Sequence, residues 1–340
     1  MAPIPTGSAE HIEAAPLVTP GGAGGGDSVL DAPVPAVGRG ALKLPADLIP
    51  GYIIDELLGE GMMGAVFRGH QVSLDRPVAI KVLTPRLAKN AQFLKRFERE
   101  ARAVARLNHP NVVSGIDVGE AQSYRYFVME YVAGPTLLQL LEKHGKVKYE
   151  TATQIVLHVA RALEHAHEHG LVHRDVKPAN IIISSRTRAA KLCDLGLAKH
   201  VEEDGSETME GRAIGTPFYI SPEMSRGERT VDIRSDIYSL GATYFHAVCG
   251  RPPFDGPTPA VIMAKHLMEE APSVKQLCPQ ASVGCVAVIE RMLQKSRADR
   301  YQSPTELIAA LELVVAGRWH EDDSMKPKFR RRRRARRRFK

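Results

Sequence analysis

The sequence predicts an α+β fold in two lobes, a small one rich in β-strands and a larger helical one. Two observations carry that expectation. Residues 52–131 read as short strands plus one helix, whereas residues 135–316 read as mostly helices. The breaker pair Gly134-Pro135 stands where the character changes. A crevice between two such lobes is a usual place for a small ligand.

At 340 residues, 44% apolar and 25% charged, the chain is long enough to bury a real core and reads as globular. Its four cysteines, Cys193, Cys249, Cys278 and Cys285, form no CxxC pair. That argues for free thiols in a reducing compartment, and against a disulfide framework or a zinc site. No stretch reaches the roughly 18 uninterrupted apolar residues of a membrane span. The first 30 residues lack the basic start and apolar run of a secretory signal. The expected location is the cytoplasm, with association at the inner face of the membrane left open. The net charge of +7 is unevenly placed: residues 326–340 hold eleven Lys or Arg and no acid, and the remainder carries 35 basic against 39 acidic residues.

Residues 1–47, with GGAGGG at 21–26 and DAPVPAV at 31–37, cannot bury enough apolar surface to offset their ordering entropy, and read as a disordered arm. The domain is expected over 48–316, with its small lobe at 52–131 and its large lobe at 135–316. A basic, disordered tail follows at 317–340.

Strands are expected at 52–58 and 65–69. Between them, Gly59, Gly61 and Gly64 let backbone N–H groups approach phosphate oxygens closely. A GxGxxG alone equally describes a plain hairpin turn, and Lys81 sharpens the reading. Alternation over 78–82 puts Val78, Ile80 and Val82 on one face and Ala79 with Lys81 on the other. Small Ala79 leaves room for a flat base while Lys81 reaches the phosphates. The helix expected over 91–108 carries Phe97, Glu100, Val104 and Leu107 at spacings of three and four, so Glu100 lies on its apolar face. A buried carboxylate stripped of its partner costs about 3–5 kcal/mol, so a buried cation is implied, and Lys81 is the candidate. Tyr126, Phe127, Val128 and Met129 then read as a buried strand. In the second lobe His173-Arg174-Asp175 follows a long helix, with Lys177 and Asn180 two and five residues beyond the aspartate.

In this order, LGEGMMGAV at 58–66, VAIK ending at Lys81, Glu100, HRDVKPAN at 173–180, DLG at 194–196, GTPFYISPE at 215–223, Asp236 and Arg300 resemble one signature set. It is that of the eukaryotic-type (Hanks-type) protein kinases, specifically their bacterial serine/threonine branch. The resemblance covers residues 48–316 and implies a bilobal protein-kinase fold that moves the γ-phosphate of ATP to Ser and Thr of protein substrates. It implies that Leu58, Gly59, Glu60, Gly61, Met62, Met63, Gly64, Ala65 and Val66 cover the nucleotide. Ala79 and Met129 would flank the adenine, Met129 as gatekeeper, with backbone groups of Glu130 and Val132 at its edge. Lys81, paired with Glu100, would hold phosphate. Asp175 would accept the hydroxyl proton, and Lys177 would contact the transferred phosphate, which favours serine/threonine over tyrosine. Asn180 and Asp194 would hold Mg²⁺, which takes hard oxygen ligands beside water and phosphate.

The resemblance also gives Thr216 a part in ordering Asp175 and Lys177, and Glu223 with Arg300 a buried structural ion pair. Thr208 would be autophosphorylated through a transient homodimer, with Arg174 as a partner for its phosphate. Asp236 reads either as the cap of a helix from Ile237 or as an anchor for the backbone around 173–175. Cys193 reads as a small buried residue at the back of the nucleotide pocket. The chain departs from the family pattern at Leu195 (DLG), Ser221 (SPE) and Met62-Met63, and none of these removes a reacting group.

Three other readings stand beside this one: an inactive ATP-binding scaffold, a small-molecule kinase, and a nucleic-acid-binding protein acting through its tail. That tail is either a solvated end, a juxtamembrane segment, or an electrostatic anchor to nucleic acid, anionic lipid or acidic protein.

Overall fold

The computed structural model describes residues 44–61, 64–88, 90–194, 217–228 and 230–319, with backbone alone at 85, 86, 92, 96 and 100. All of them fall in one compact unit, Pro33–Lys340. Five strands, β1 (Tyr52–Gly61), β2 (Gly64–Gln71), β3 (Arg76–Leu83), β4 (Gly115–Ala121) and β5 (Tyr124–Glu130), form an antiparallel sheet in the order β1-β2-β3-β5-β4.

The central strand β3 is buried on both faces from Val78 onward. Val78, Ile80 and Val82 join Tyr52, Ile54, Phe67 and Val128 in a small core on one face of the sheet. On the other face Ala79 and Leu83 join Phe93, Phe97, Ala101 and Val104 of α2 (Ala91–Val104), which follows the one-turn helix α1 (Pro85–Ala88). The alternation read from the sequence therefore separates two cores. α2 ends at Val104, short of the expected Asn108. Its last turn tightens into three-residue bonds, Arg106 N–H to the Ala103 carbonyl and Leu107 N–H to that of Val104, ahead of Pro110.

β1 runs past its expected end and takes in Gly59 and Gly61. A Cβ at either would meet nothing within 4 Å. Gly64 is different: its φ is +151°, and a Cβ there would run into the Val82 carbonyl on β3. The sheet itself requires that glycine, whatever ligand lies beneath.

After β5 the chain is mainly helical. α3 (Leu137–His144) starts on a capping box between Thr136 and Gln139. α4 (Tyr149–Glu168), α9 (Val283–Met292) and α10 (Pro304–Val315) surround this part of the core with α6 (Ile233–Cys249), which is buried almost end to end. Shorter α5 (Pro222–Ser225), α7 (Pro259–Met268) and α8 (Val274–Leu277) complete the region. Side-chain oxygens of Asp232, Thr258, Ser282 and Ser303 accept the first free N–H groups of α6, α7, α9 and α10.

A two-stranded hairpin, β6 (Ile181–Ile183) and β7 (Ala190–Leu192), joins the helical part to the sheet-bearing part. Val113 N–H donates to the Leu192 carbonyl (2.9 Å), Leu192 N–H to that of Asn111 (2.8 Å), and Asn111 Nδ2 to that of Ala190 (2.9 Å).

Candidate active site

The segment 173–180 is held in place from α6. Both carboxylate oxygens of Asp236 accept backbone N–H groups, those of His173 and Arg174, at 2.7 Å each. The two bonds fix Arg174 in the left-handed region, φ 63°, which a non-glycine residue occupies only when its surroundings enforce it. Asp236 is thus the backbone anchor. The alternative, a cap on a helix from Ile237, does not hold, because α6 starts at Ile233 and Asp232 caps it.

The His173 ring ties this segment to the end of β7. Its Nδ1 accepts Asp175 N–H (3.2 Å), so the proton sits on Nε2, which donates to the Cys193 carbonyl (3.0 Å). Cys193 N–H donates in turn to the Asn180 carbonyl (3.0 Å). Cys193 is half-buried, and desolvation pushes its thiol well above its ordinary range, which keeps it protonated and unreactive.

These contacts bring together the chemistry-bearing side chains. Asp175 Oδ2 lies 2.8 Å from Lys177 Nζ, and Asn180 Nδ2 donates to the same oxygen (3.1 Å) and to the Asp175 carbonyl (2.8 Å). Lys81, only 6% exposed, reaches from β3 to Asp194 Oδ1 at 2.8 Å. Asp194 is thus a partner of Lys81 among the described residues. The Glu100 side chain lies outside the described residues, as do Met62, Met63, Leu195, Thr208 and Thr216.

Met129 is buried on β5 and pairs with Ala79 across the ladder. Glu130 N–H is committed to the Ser114 carbonyl (2.9 Å). Leu58, Glu60 and Gly61 are exposed on β1 and Ala65 is buried on β2, with Gly59, Gly64, Val66 and, beyond β5, Val132 half-buried.

Burial pushes the Asp194 carboxyl up, but the charge and hydrogen bond of Lys81, helped by His173 and Lys177, pull it further down, below its ordinary range. A depressed carboxyl contributes stability above its unfolded pKa and loses it as the pH falls through the folded value. In Lys81→Met burial dominates, and Asp194 should titrate above the ordinary aspartate range, as read by carboxyl-carbon NMR. An unchanged titration would show that Lys81 does not control this group.

The donor chemistry fits a hard divalent cation. Asn180 spends its NH₂ on Asp175, which leaves Oδ1 for a metal, and Asp194 keeps a second oxygen beyond the one facing Lys81. Among the described residues no three His, Cys, Asp or Glu side chains form a metal cage. Two hard oxygens without a cage suit an ion that also binds phosphate and water.

A second set of residues supports the segment 217–223. Arg300 is fully buried and uses all five of its N–H groups. Nη1 and Nη2 bind the two Glu223 oxygens at 2.7 and 2.9 Å, and carbonyls of Arg234, Lys295 and Gln294 take the rest at 2.9, 3.0 and 2.7 Å. Tyr219 OH meets His246 Nδ1 at 2.7 Å, and His266 Nε2 meets the Phe218 carbonyl at 3.1 Å. Sequence reasoning passed over both histidines, because a single His on a helix carries no signal until the fold shows what it faces. It also passed over Lys191, which joins β7 to Glu130 at 2.9 Å.

The protein kinase domain family matches residues 52–310. The serine/threonine-protein kinase PknB of Mycobacterium leprae is 40% identical over 280 residues, covering 81% of this chain and 45% of that protein. A probable serine/threonine-protein kinase of Corynebacterium efficiens is 39% identical over 272 residues, 77% of this chain and 41% of its own length. The chain thus spans less than half the length of these curated relatives. Among solved structures, the kinase domain of Mycobacterium tuberculosis PknI aligns over 81% of this chain and all of its own, with a TM-score of 0.64 and 30% identity. The sheet with its flanking helix and the helical region after it are therefore the two lobes of a kinase fold. The chain belongs to the protein kinase family, and its relatives place it in the bacterial serine/threonine branch that its motifs resemble.

Proposed function

We propose that this chain transfers the γ-phosphate of ATP to serine and threonine hydroxyls of protein substrates. The observation that carries the reading is the convergence of two bonded groups, Lys81 with Asp194 and Asp175 with Lys177 and Asn180, tied together through the bonds of His173 and Asn180 to Cys193. Phosphoryl transfer asks the protein for position and charge neutralisation more than for covalent chemistry. With Oδ2 of Asp175 engaged by Lys177 and Asn180, Oδ1 is the oxygen that takes the proton of the incoming hydroxyl. Lys177 steadies the transferred phosphoryl oxygens, and Lys81 holds the phosphates of the nucleotide. The glycine-bearing turn between β1 and β2 covers those phosphates. Backbone groups of Glu130 and Val132 take the adenine edge beside Met129. Asp194 and Asn180 would hold Mg²⁺, which would neutralise phosphate charge when bound. Segment 215–223 serves as the platform for a protein substrate. Incubation with γ-labelled ATP and Mg²⁺ should place label on Ser and Thr of dephosphorylated casein; casein that stays unlabelled overturns the reading.

We assign 48–316 as the kinase domain, flanked by the 1–47 arm and the 317–340 tail, with Thr208 as an autophosphorylation site modified within a transient homodimer. The tail is an electrostatic anchor for anionic lipid, nucleic acid or acidic protein, since eleven basic residues without an acid give about 1 kcal/mol each near an anionic surface. That anchoring would hold the kinase at the inner face of the membrane; no helix among the described residues is itself long and apolar enough to cross one. Deleting 326–340 should lower the salt concentration at which the protein leaves heparin without changing casein labelling. Equal elution of both forms would mean that the tail does not anchor.

A further inference from the structure

His266 lies on α7, remote in sequence from every motif residue, yet it is wholly buried and fully bonded. Burying an imidazole among apolar groups is costly unless both nitrogens find partners. Here they do. The Phe218 carbonyl can only accept, so the proton sits on Nε2 and is donated there (3.1 Å); Nδ1 therefore accepts the Tyr238 hydroxyl (2.9 Å). Tyr238 oxygen lies 3.4 Å from Lys295 Nζ, which also donates to the His266 carbonyl (2.7 Å) and the Lys265 carbonyl (3.3 Å). Phe254 packs edge-on against the imidazole, 4.8 Å between centroids, and Lys295 lies over the Phe254 ring at 4.2 Å. The hydrogen bonds run in one direction, from Lys295 through Tyr238 and His266 to the Phe218 backbone, and such chains reinforce one another. Burial, with the Lys295 charge, drives the imidazole pKa down to about 3, so the ring stays neutral and its tautomer fixed.

An apolar side chain would fill this space without a desolvation cost. What the histidine adds is one directed bond to the backbone of the 217–223 segment. The opposite end of that segment is held separately, by Glu223 on Arg300. We infer that His266 is a positioning residue for protein-substrate binding, acting through the Phe218 carbonyl, and that it has no part in holding the nucleotide. This rests on the phosphotransfer reading and adds to it a determinant that none of the motifs contains.

Asparagine and glutamine separate the two nitrogens. His266→Asn places an amide near Nδ1 and loses the Phe218 bond, whereas His266→Gln places an N–H donor near Nε2 and keeps it. Steady-state kinetics with dephosphorylated casein and ATP should give a casein KM raised roughly tenfold in His266→Asn, the effect of one buried hydrogen bond. His266→Gln should stay within about threefold of the wild type, and the ATP KM within about twofold in both. Casein KM values at the wild-type level in both variants, or KM rising equally for casein and ATP, would overturn the role while leaving phosphotransfer intact. Wild-type protein that does not label casein at all overturns the phosphotransfer reading and this one with it.

A measurement on the wild type covers the case in which neither variant folds. Imidazole nitrogen NMR should show a neutral, Nε2-protonated His266 whose signals move when a serine-containing casein peptide is added and stay put with nucleotide alone. Signals blind to the peptide would overturn the inference.

Discussion

Asp175→Asn should lower phosphate transfer to casein by about 10²–10⁴-fold, the usual contribution of a positioned proton acceptor, while leaving the fold and nucleotide affinity unchanged. The expectation of an intact fold comes from the local bonding. The Asp175 carbonyl keeps its bond from Asn180, the Asp175 N–H keeps His173, and an amide oxygen in place of Oδ2 still accepts from Asn180. Only the charge facing Lys177 is lost, at a site open to water. Single-turnover transfer of labelled phosphate measures the chemistry, and titration with a fluorescent nucleotide measures binding. Turnover at the wild-type rate would remove Asp175 from the proton-accepting role.

Arg300→Leu should be the most destabilising single change away from the reacting groups, by about 3–5 kcal/mol, because it removes the bidentate cation of the buried Glu223 carboxylate and leaves only Arg297, 3.9 Å away. Replacing both partners by apolar residues often recovers such a loss. Here it should not, since Arg300 also satisfies the carbonyls of Gln294, Arg234 and Lys295, and these would be stranded in either variant.

The sign with pH follows from Glu223. Burial raises its carboxyl, while the bonds and charge of Arg300 and the Ser235 hydroxyl lower it further, so it lies below the ordinary glutamate range. In the wild type the pair contributes fully above the unfolded pKa, and that contribution fades as pH falls through the folded one. Without Arg300 the main opposition to burial is gone, the Ser235 hydroxyl and the more distant Arg297 remain, and the carboxyl shifts toward its proton. The stability gap between wild type and variant should therefore be widest at neutral pH and narrow on acidification. Urea midpoints across pH would show it, and a gap that widens toward acid would contradict the assignment.

The sequence showed the fold wherever the signal is local. The alternation of 78–82 is enough to separate the two faces of β3, because side-chain direction in a strand is set by parity alone. The aspartate, lysine and asparagine of 173–180 are legible for the same reason, standing within one short segment. Partnership across long separations was not. Lys81 makes an ion pair with Asp194, 113 residues away, which no pattern within either segment encodes. Asp232 and Asp236 are both acids near the start of one helix, and spacing does not reveal which caps it and which reaches back 62 and 63 residues to hold Arg174 and His173. Histidines 246 and 266 gain meaning only from the backbone and hydroxyl they face.

The ladder between 111–113 and β7 behaves as the spine of a book. Along it the strand-bearing cover is stitched to the helical one by the bonds joining Asn111 and Val113 to Ala190 and Leu192. Leu192 lies two residues from Asp194, and His173 and Asn180 are bound to the Cys193 between them. A tilt of the covers about this spine would leave Asp194 and Asn180 on the same page. Lys81, on the opposite cover, would be carried away from both. The span from Lys81 Nζ to Asp194 Oδ1, 2.8 Å here, is therefore a bookmark for how far the volume stands open.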